Sequence, residues 1–172
     1  FQPMPFFEIP DAEWSRFFEI NVLSGIRLSR ALAPGMQQRG WGRILFISSE
    51  SAFSIPDEMV HYGMTKTAQL SVTRGLAKTL RGTGVSVNAV LPGPTWTEGV
   101  AEYVRQLAEQ EGLSEEEMRK QFFPKFRPQS LIERFIEPTE VASMVTYLAS
   151  PLSAATTGSA HRVEGGMVDD LG

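Results

Sequence analysis

Tyr62 and Lys66 stand one helical turn apart in the segment YGMTK, so on a helix their side chains share a face. Ser49 lies upstream, directly after the apolar run Arg43–Ser48 (RILFIS). These three residue types suit proton transfer to a carbonyl oxygen. A phenol titrates near ~10 and is a poor acid–base catalyst at neutral pH. An ammonium close by favours the phenolate and is expected to lower that value. A serine hydroxyl can hold the same carbonyl oxygen and fix its distance from the phenol. None of the three can supply a hydride, so a redox chemistry built on them needs a cofactor.

The elements that must position these residues can be read from periodicity and punctuation. Asp11 opens an amphipathic helix whose apolar positions Trp14, Phe17, Phe18, Val22, Ile26, Leu28 and Leu32 recur at helical steps, with Pro34-Gly35 expected to kink or end it. RILFIS then reads as a buried strand, about Met59–Arg81 as a long helix closed by Gly82 and Gly84, and Val85–Leu91 as a second strand stopped by Pro92-Gly93-Pro94. Two acid-rich helical pieces, Glu98–Glu111 and Ser114–Phe122, bracket Gly112, and Pro124 and Pro128 are expected to break the chain beyond them. Pro138–Ala149 reads as a helix with proline at its first position, and Ser159–Val163 as a last short strand. Strand and helix alternate with crossovers too long for hairpins. That pattern predicts an α/β fold, a parallel sheet with helices on both faces. Ser49 then sits at a strand's carboxyl end, where open parallel sheets bind ligands.

With these motifs in order, the sequence resembles the short-chain dehydrogenase/reductase family. The resemblance rests on ILFISS ending in Ser49, YGMTK with Tyr62 and Lys66, VNAVLPGPTWT from Val87 to Thr97, FFEINVLSG with Asn21, and the closing PTEVASMVTYLAS and TGSAHRVEGG. It implies a Rossmann-like doubly wound sheet, here represented by its later strands and helices, as one domain over residues 1–172. It also implies an oxidoreductase moving a hydride between NAD or NADP and an alcohol or ketone. On that resemblance Tyr62 is the general acid/base, Ser49 orients the substrate oxygen, Lys66 lowers the tyrosine pKa and binds the nicotinamide ribose, and Asn21 holds a water in a proton relay. Pro92 and Gly93 shape the nicotinamide wall, and Thr95 and Thr97 bond its carboxamide or the adjacent phosphates. The segment 95–137 corresponds to the substrate-covering lid. The two long helices correspond to a twofold interface, so a homodimer or homotetramer is expected.

The family's opening strand, glycine-rich turn and helix, which bind the pyrophosphate, have no counterpart in these residues. The pair Gly82-x-Gly84 comes after a helix and precedes a strand, the wrong order for that fingerprint. With Phe1 at the start, the expectation is the later part of a longer enzyme. The competing expectation is a non-catalytic scaffold or assembly module that keeps the site residues.

Composition narrows the classes further. The 172 residues carry 20 acids against 16 bases, a formal charge of −4, with no basic run of the kind a nucleic-acid binder shows. There is no cysteine, which excludes a disulfide framework or a thiolate metal site, and two distant histidines give no metal site. No apolar stretch reaches the roughly 18 residues of a membrane span. A small-molecule carbonyl or alcohol partner and a cytoplasmic location are the expectations.

His61, adjacent to Tyr62, is expected at an exposed or helix-edge position. Glu50 stands where the resemblance leads one to expect a small neutral residue; it either orients a polar substrate group or is a solvent-facing loop acid. Trp96, Phe122, Phe123 and Phe126 either close over an apolar substrate or pack as the apolar faces of short helices. The acids from Glu109 to Glu117 are expected to form a solvated face.

Overall fold

A computed structural model of the chain describes residues 2–169, so Phe1 of the expected lead-in loop lies outside the described residues. Three strands form one parallel sheet in the order β1 (Gly42–Ile47), β2 (Val85–Pro92), β3 (Ala160–Val163). Gly42 pairs with Val85 and Ile47 with Val90, and Ala89 pairs with Ala160. The central strand is buried along nearly its whole length, the signature of a parallel strand covered on both faces. Its one buried amide, Asn88, is satisfied: Nδ2 donates to the Thr156 carbonyl at 2.9 Å, and Oδ1 accepts from the Ser159 N–H at 3.2 Å.

Alternation along the strands sends residues to two sides. Ile44, Phe46, Val87, Ala89 and Leu91 meet Ala33, Met36, Leu76 and Leu80 in the main core. The helices contributing there are α2 (Ser24–Gln38) and α3 (Val60–Thr79). Arg43, on the other side, reaches the Ser150 carbonyl at 3.5 Å, just past the end of helix α6 (Pro138–Ala149). Helices therefore flank the sheet on both faces, as the doubly wound expectation requires.

The first helix departs from expectation. It begins as α1 (Asp11–Phe18), passes through a wider π-type turn at Glu19–Leu23, and continues as α2 beyond Pro34 to Gln38. Pro34 does not end it, because the last turn packs onto the sheet: a Cβ on Gly42 would stand 2.6 Å from the Met36 Cβ. Tertiary packing outweighs the local penalty of an internal proline.

Beyond β2 the chain builds the helical segment that the resemblance leads one to expect as a lid. Helix α4 (Glu98–Glu111) is capped by Thr97 and stopped by Gly112 at φ +66, and α5 (Glu115–Phe126) opens with a Ser114/Glu117 capping box. Here too a predicted break is absent: Pro124 lies inside α5, held there because Phe122 and Phe123 on the same turn are buried. Val104, Ala108, Met118, Phe122, Phe123 and Phe135 form a second, smaller core. A parallel bridge between Thr95 and Ile136 closes its base. Helix α6 then leads back to β3.

Candidate active site

The carboxyl ends of β1 and β2 open into a cavity of about 330 Å³ lined by Ser49, Glu50, Tyr62, Lys66, Pro92, Gly93, Thr95 and Thr97, with Val100, Tyr103, Phe122 and Arg127 on the lid side. A larger depression of about 560 Å³ lies at the opposite end of the strands, around Trp41, Arg74 and Arg81. Ligands of open parallel sheets bind at the carboxyl ends, and only the smaller cavity gathers the proton-transfer residues.

Local structure explains how they meet. The Ser48 hydroxyl donates to the Lys66 carbonyl at 2.9 Å, tying the end of β1 to the middle of α3. Ser49 then caps a tight turn, Glu50–Ala52, its Oγ accepting from the Ser51 N–H at 3.1 Å. Gly63 lets this turn lie against α3, since a Cβ there would stand 3.1 Å from the Ser51 carbonyl oxygen. Lys66 Nζ donates to the Ile47 carbonyl at 3.0 Å and lies 5.4 Å from the centre of the Tyr62 ring.

The electrostatics correct one expectation. Burial pushes the Tyr62 phenol up to about 12; the hydrogen-bonding Ser49 hydroxyl pulls the other way, and the nearby Glu50 carboxylate adds to the rise. Lys66 is held down to about 8, again by burial, against an opposing pull from Glu50. Burial, joined by Glu50, thus raises the tyrosine that a nearby ammonium was expected to lower.

Glu50 is not a solvent-facing acid. It is 7% exposed, its carboxylate accepts a hydrogen bond from the Ser49 hydroxyl, and burial raises its pKa above the usual carboxylate value. His61 is likewise not exposed: it is fully buried under α1, its ring 4.3 Å from Phe17 and 6.0 Å from Trp14. Burial lowers its pKa.

Asn21 reaches the site at one remove. Its side-chain amide donates to Thr65 Oγ1 at 3.0 Å, and its backbone carbonyl accepts from Gln69 Nε2 at 2.6 Å. Thr95 Oγ1 donates to the Gly93 carbonyl at 2.9 Å, while Thr97 Oγ1 accepts from the Val100 N–H at 3.4 Å and so caps α4. Trp96 does not line the cavity. Its indole packs 4.9 Å from Phe135, with the Arg119 guanidinium 4.0 Å from the ring centre. Of Trp96, Phe122, Phe123 and Phe126, Phe122 both joins the small core and faces the cavity. Tyr103 and Arg127 were missed. Tyr103 shares a helical face with Val100 and Val104, a pattern that could have pointed to it; nothing local marks Arg127. Its guanidinium pairs with Glu58 at 3.2 Å, joining the end of α5 to the turn before α3. Among the described residues no group of three or more acidic or histidine side chains is placed to hold a metal ion, and no helix is long and apolar enough to cross a membrane.

This sheet, with its serine, tyrosine and lysine at one end, defines a class, and comparison with known proteins agrees: the chain belongs to the short-chain dehydrogenase/reductase family. Residues 1–168 match the family profile described as enoyl-(acyl carrier protein) reductase. The chain is 48% identical to the uncharacterized oxidoreductase YvaG of Bacillus subtilis, over 98% of its own length and 64% of that protein. It is 36% identical to 2-keto-3-deoxy-L-fuconate dehydrogenase of Xanthomonas campestris, over 89% of the chain and 49% of that enzyme. Among solved structures, L-sorbose reductase from Gluconobacter frateurii, complexed with NADPH and L-sorbose, superposes with a TM-score of 0.92 at 28% identity, covering 99% of this chain and 64% of that one. The chain thus spans under two thirds of the length of these relatives.

Proposed function

We propose that the chain carries the proton-transfer half of an NAD(P)-dependent oxidoreductase interconverting an alcohol and a ketone. The observation that carries this reading is the convergence of Ser49, Tyr62 and Lys66 on one cavity at the carboxyl ends of parallel strands. The residues present fit the nicotinamide–ribose end of a dinucleotide. Lys66 has three N–H groups and gives one to Ile47, which leaves donors for ribose hydroxyls. Pro92 and Gly93 offer a backbone wall, and the Thr95 hydroxyl lies beside it. When bound, the dinucleotide supplies the hydride for reduction or takes it up in oxidation.

The chain's own residues handle the proton. A ketone oxygen placed between Tyr62 and Ser49 accepts hydrogen bonds from both hydroxyls. A phenol held at about 12 stays protonated at neutral pH, and an alkoxide is basic enough to take its proton. The lid residues Val100, Tyr103 and Phe122 cover the far side and limit access of water. Asn21 supports the lysine's helix through Thr65, the role nearest to the relay expected of it. Exposed Ile20, Leu28 and Leu32 along the first helix support a homodimer or homotetramer through that helix.

The test is turnover of a ketone with NADPH or NADH by the intact protein, wild type against Tyr62→Phe. The variant is expected to lose about 10²- to 10⁴-fold in kcat while keeping its melting temperature. Equal activity in the two refutes the mechanism.

A further inference from the structure

Ser49 has one proton to give. Both the Glu50 carboxylate and the Tyr62 phenol oxygen lie within its hydrogen-bonding reach, and in the structure the proton goes to Glu50: the hydroxyl donates to Oε2, while Oγ accepts from the Ser51 N–H at 3.1 Å. The second carboxylate oxygen accepts from the Ser51 hydroxyl at 3.3 Å. A serine whose proton points at a carboxylate cannot also donate it to a substrate carbonyl.

We infer that Glu50 is a positioning residue whose acid form turns the Ser49 hydroxyl toward the substrate oxygen. The inference rests on the proposed oxidoreductase reading and deepens it. With a proton on Oε2, the carboxyl group donates to Ser49 Oγ, which still accepts from the Ser51 N–H. The serine's own proton is then released to the ketone oxygen, and Oε1 keeps its bond from Ser51, so the carboxyl proton, the Ser51 N–H and both serine hydroxyls each have an acceptor. In reduction a hydride adds to the carbonyl carbon, the C=O π pair moves onto oxygen, and that oxygen takes the Tyr62 proton. Glu50 keeps its own proton throughout. Its part is to make Ser49 a second donor to the developing charge.

The surroundings of Glu50 favour the acid form. The carboxyl is 7% exposed, and burial raises its pKa. From α3 it faces Tyr62 and Lys66. The Ser49 hydroxyl, the Arg127 charge at the end of α5, which is shared with Glu58, and the backbone N–H groups of Glu50 and Ser51 oppose the rise, and burial outweighs them. Asp57 and Glu58 line the depression on its other side.

The experiment tracks reduction of 2,3-butanedione with NADPH and NADH against pH, in wild type, Glu50→Gln, Ser49→Ala and Tyr62→Phe of the intact protein. Infrared difference titration of the buried carboxylic acid band accompanies it. In wild type kcat is expected to fall about tenfold per pH unit above the pH at which that band disappears. In Glu50→Gln the falling limb moves to higher pH, because an amide N–H donates to Ser49 at every pH. A purely electrostatic role predicts the opposite: removing the Glu50 charge lets Lys66 lose its proton sooner, and the limb moves down. The acid band is absent from Glu50→Gln and displaced in Ser49→Ala. A limb that stays or moves down in the Gln variant overturns the inference, as does an acid band untouched by Ser49→Ala. Should Glu50→Gln not fold, the band in wild type and Ser49→Ala decides alone. Butanedione turnover that depends on Tyr62 but shows an unchanged limb sinks this inference only. No turnover, or turnover equal in Tyr62→Phe, sinks the oxidoreductase reading with it.

Discussion

Lys66 Nζ hangs from the carbonyl of Ile47 at 3.0 Å, so the ammonium is anchored to the last residue of β1 and passes beside the Tyr62 ring, 5.4 Å from its centre. One charge thereby joins the strand that positions Ser49 to the helix that positions Tyr62. Its burial has a measurable consequence for stability. The folded-state pKa of about 8 lies below the ordinary value of 10.5, so between the two the unfolded chain holds a proton that the folded chain has lost. Stability therefore rises with pH across that window. Chemical denaturation of wild type and Lys66→Met from pH 7.5 to 10.5 is expected to show this rise in wild type only. The variant also loses ketone turnover by about 10²-fold or more. Parallel stability curves for the two proteins contradict the assignment of the buried charge.

The turn carrying Ser49 can approach α3 only because position 63 has no side chain. A Cβ there would meet the Ile55 Cγ2 at 2.6 Å and the Ser51 carbonyl oxygen at 3.1 Å. Ile55 can rotate aside; the backbone of the Glu50–Ala52 turn has less room to give. Gly63→Ala is therefore expected to cost about 1–3 kcal/mol, the usual range for overpacking. Its effect on kcat should be larger than that cost implies, because the displaced group is the turn that aims Ser49 at Tyr62. The measurement is kcat and melting temperature together. A variant that loses stability but keeps full kcat shows that Ile55 alone absorbs the strain.

Much of this arrangement was legible in the sequence because it depends on local rules. The apolar runs at Arg43–Ser48 and Val85–Leu91 became β1 and β2, and Pro138 and Gly112 marked a helix start and a helix stop as their chemistry demands. The pairing of Tyr62 with Lys66 needed only the helical period. The features that were not legible depend on partners far away in the chain. Pro34 and Pro124 sit inside helices because Met36, Phe122 and Phe123 are bound to cores assembled from distant segments. His61 is buried because α1 lies across α3, which no spacing within YGMTK announces. The direction of the Tyr62 shift depended on comparing burial with a nearby charge, and only the fold reveals how deep the phenol lies. Trp96 turned toward Phe135 and Arg119 for the same reason.

The lid owns a core of its own, and that separates its stability from that of the sheet. Met118 is fully buried among Val104, Ala108, Phe122, Phe123 and Phe135, while the main core is built from β1, β2, α2 and α3. Truncating it leaves a cavity between α4 and α5 and should cost about 2–5 kcal/mol locally. Because the two cores are separate, the cost is expected to fall on this segment, opening it without unfolding the sheet. Hydrogen exchange in Met118→Ala is therefore expected to quicken through Glu98–Glu111 and Glu115–Phe126, while amides of Val85–Pro92 keep their wild-type protection. Because Val100, Tyr103 and Phe122 form the lid side of the cavity, the Michaelis constant for the ketone should rise several-fold with a smaller change in kcat. Exchange that quickens equally in β2 instead shows that lid and sheet unfold as one cooperative unit, and that closing the lid is inseparable from folding the domain.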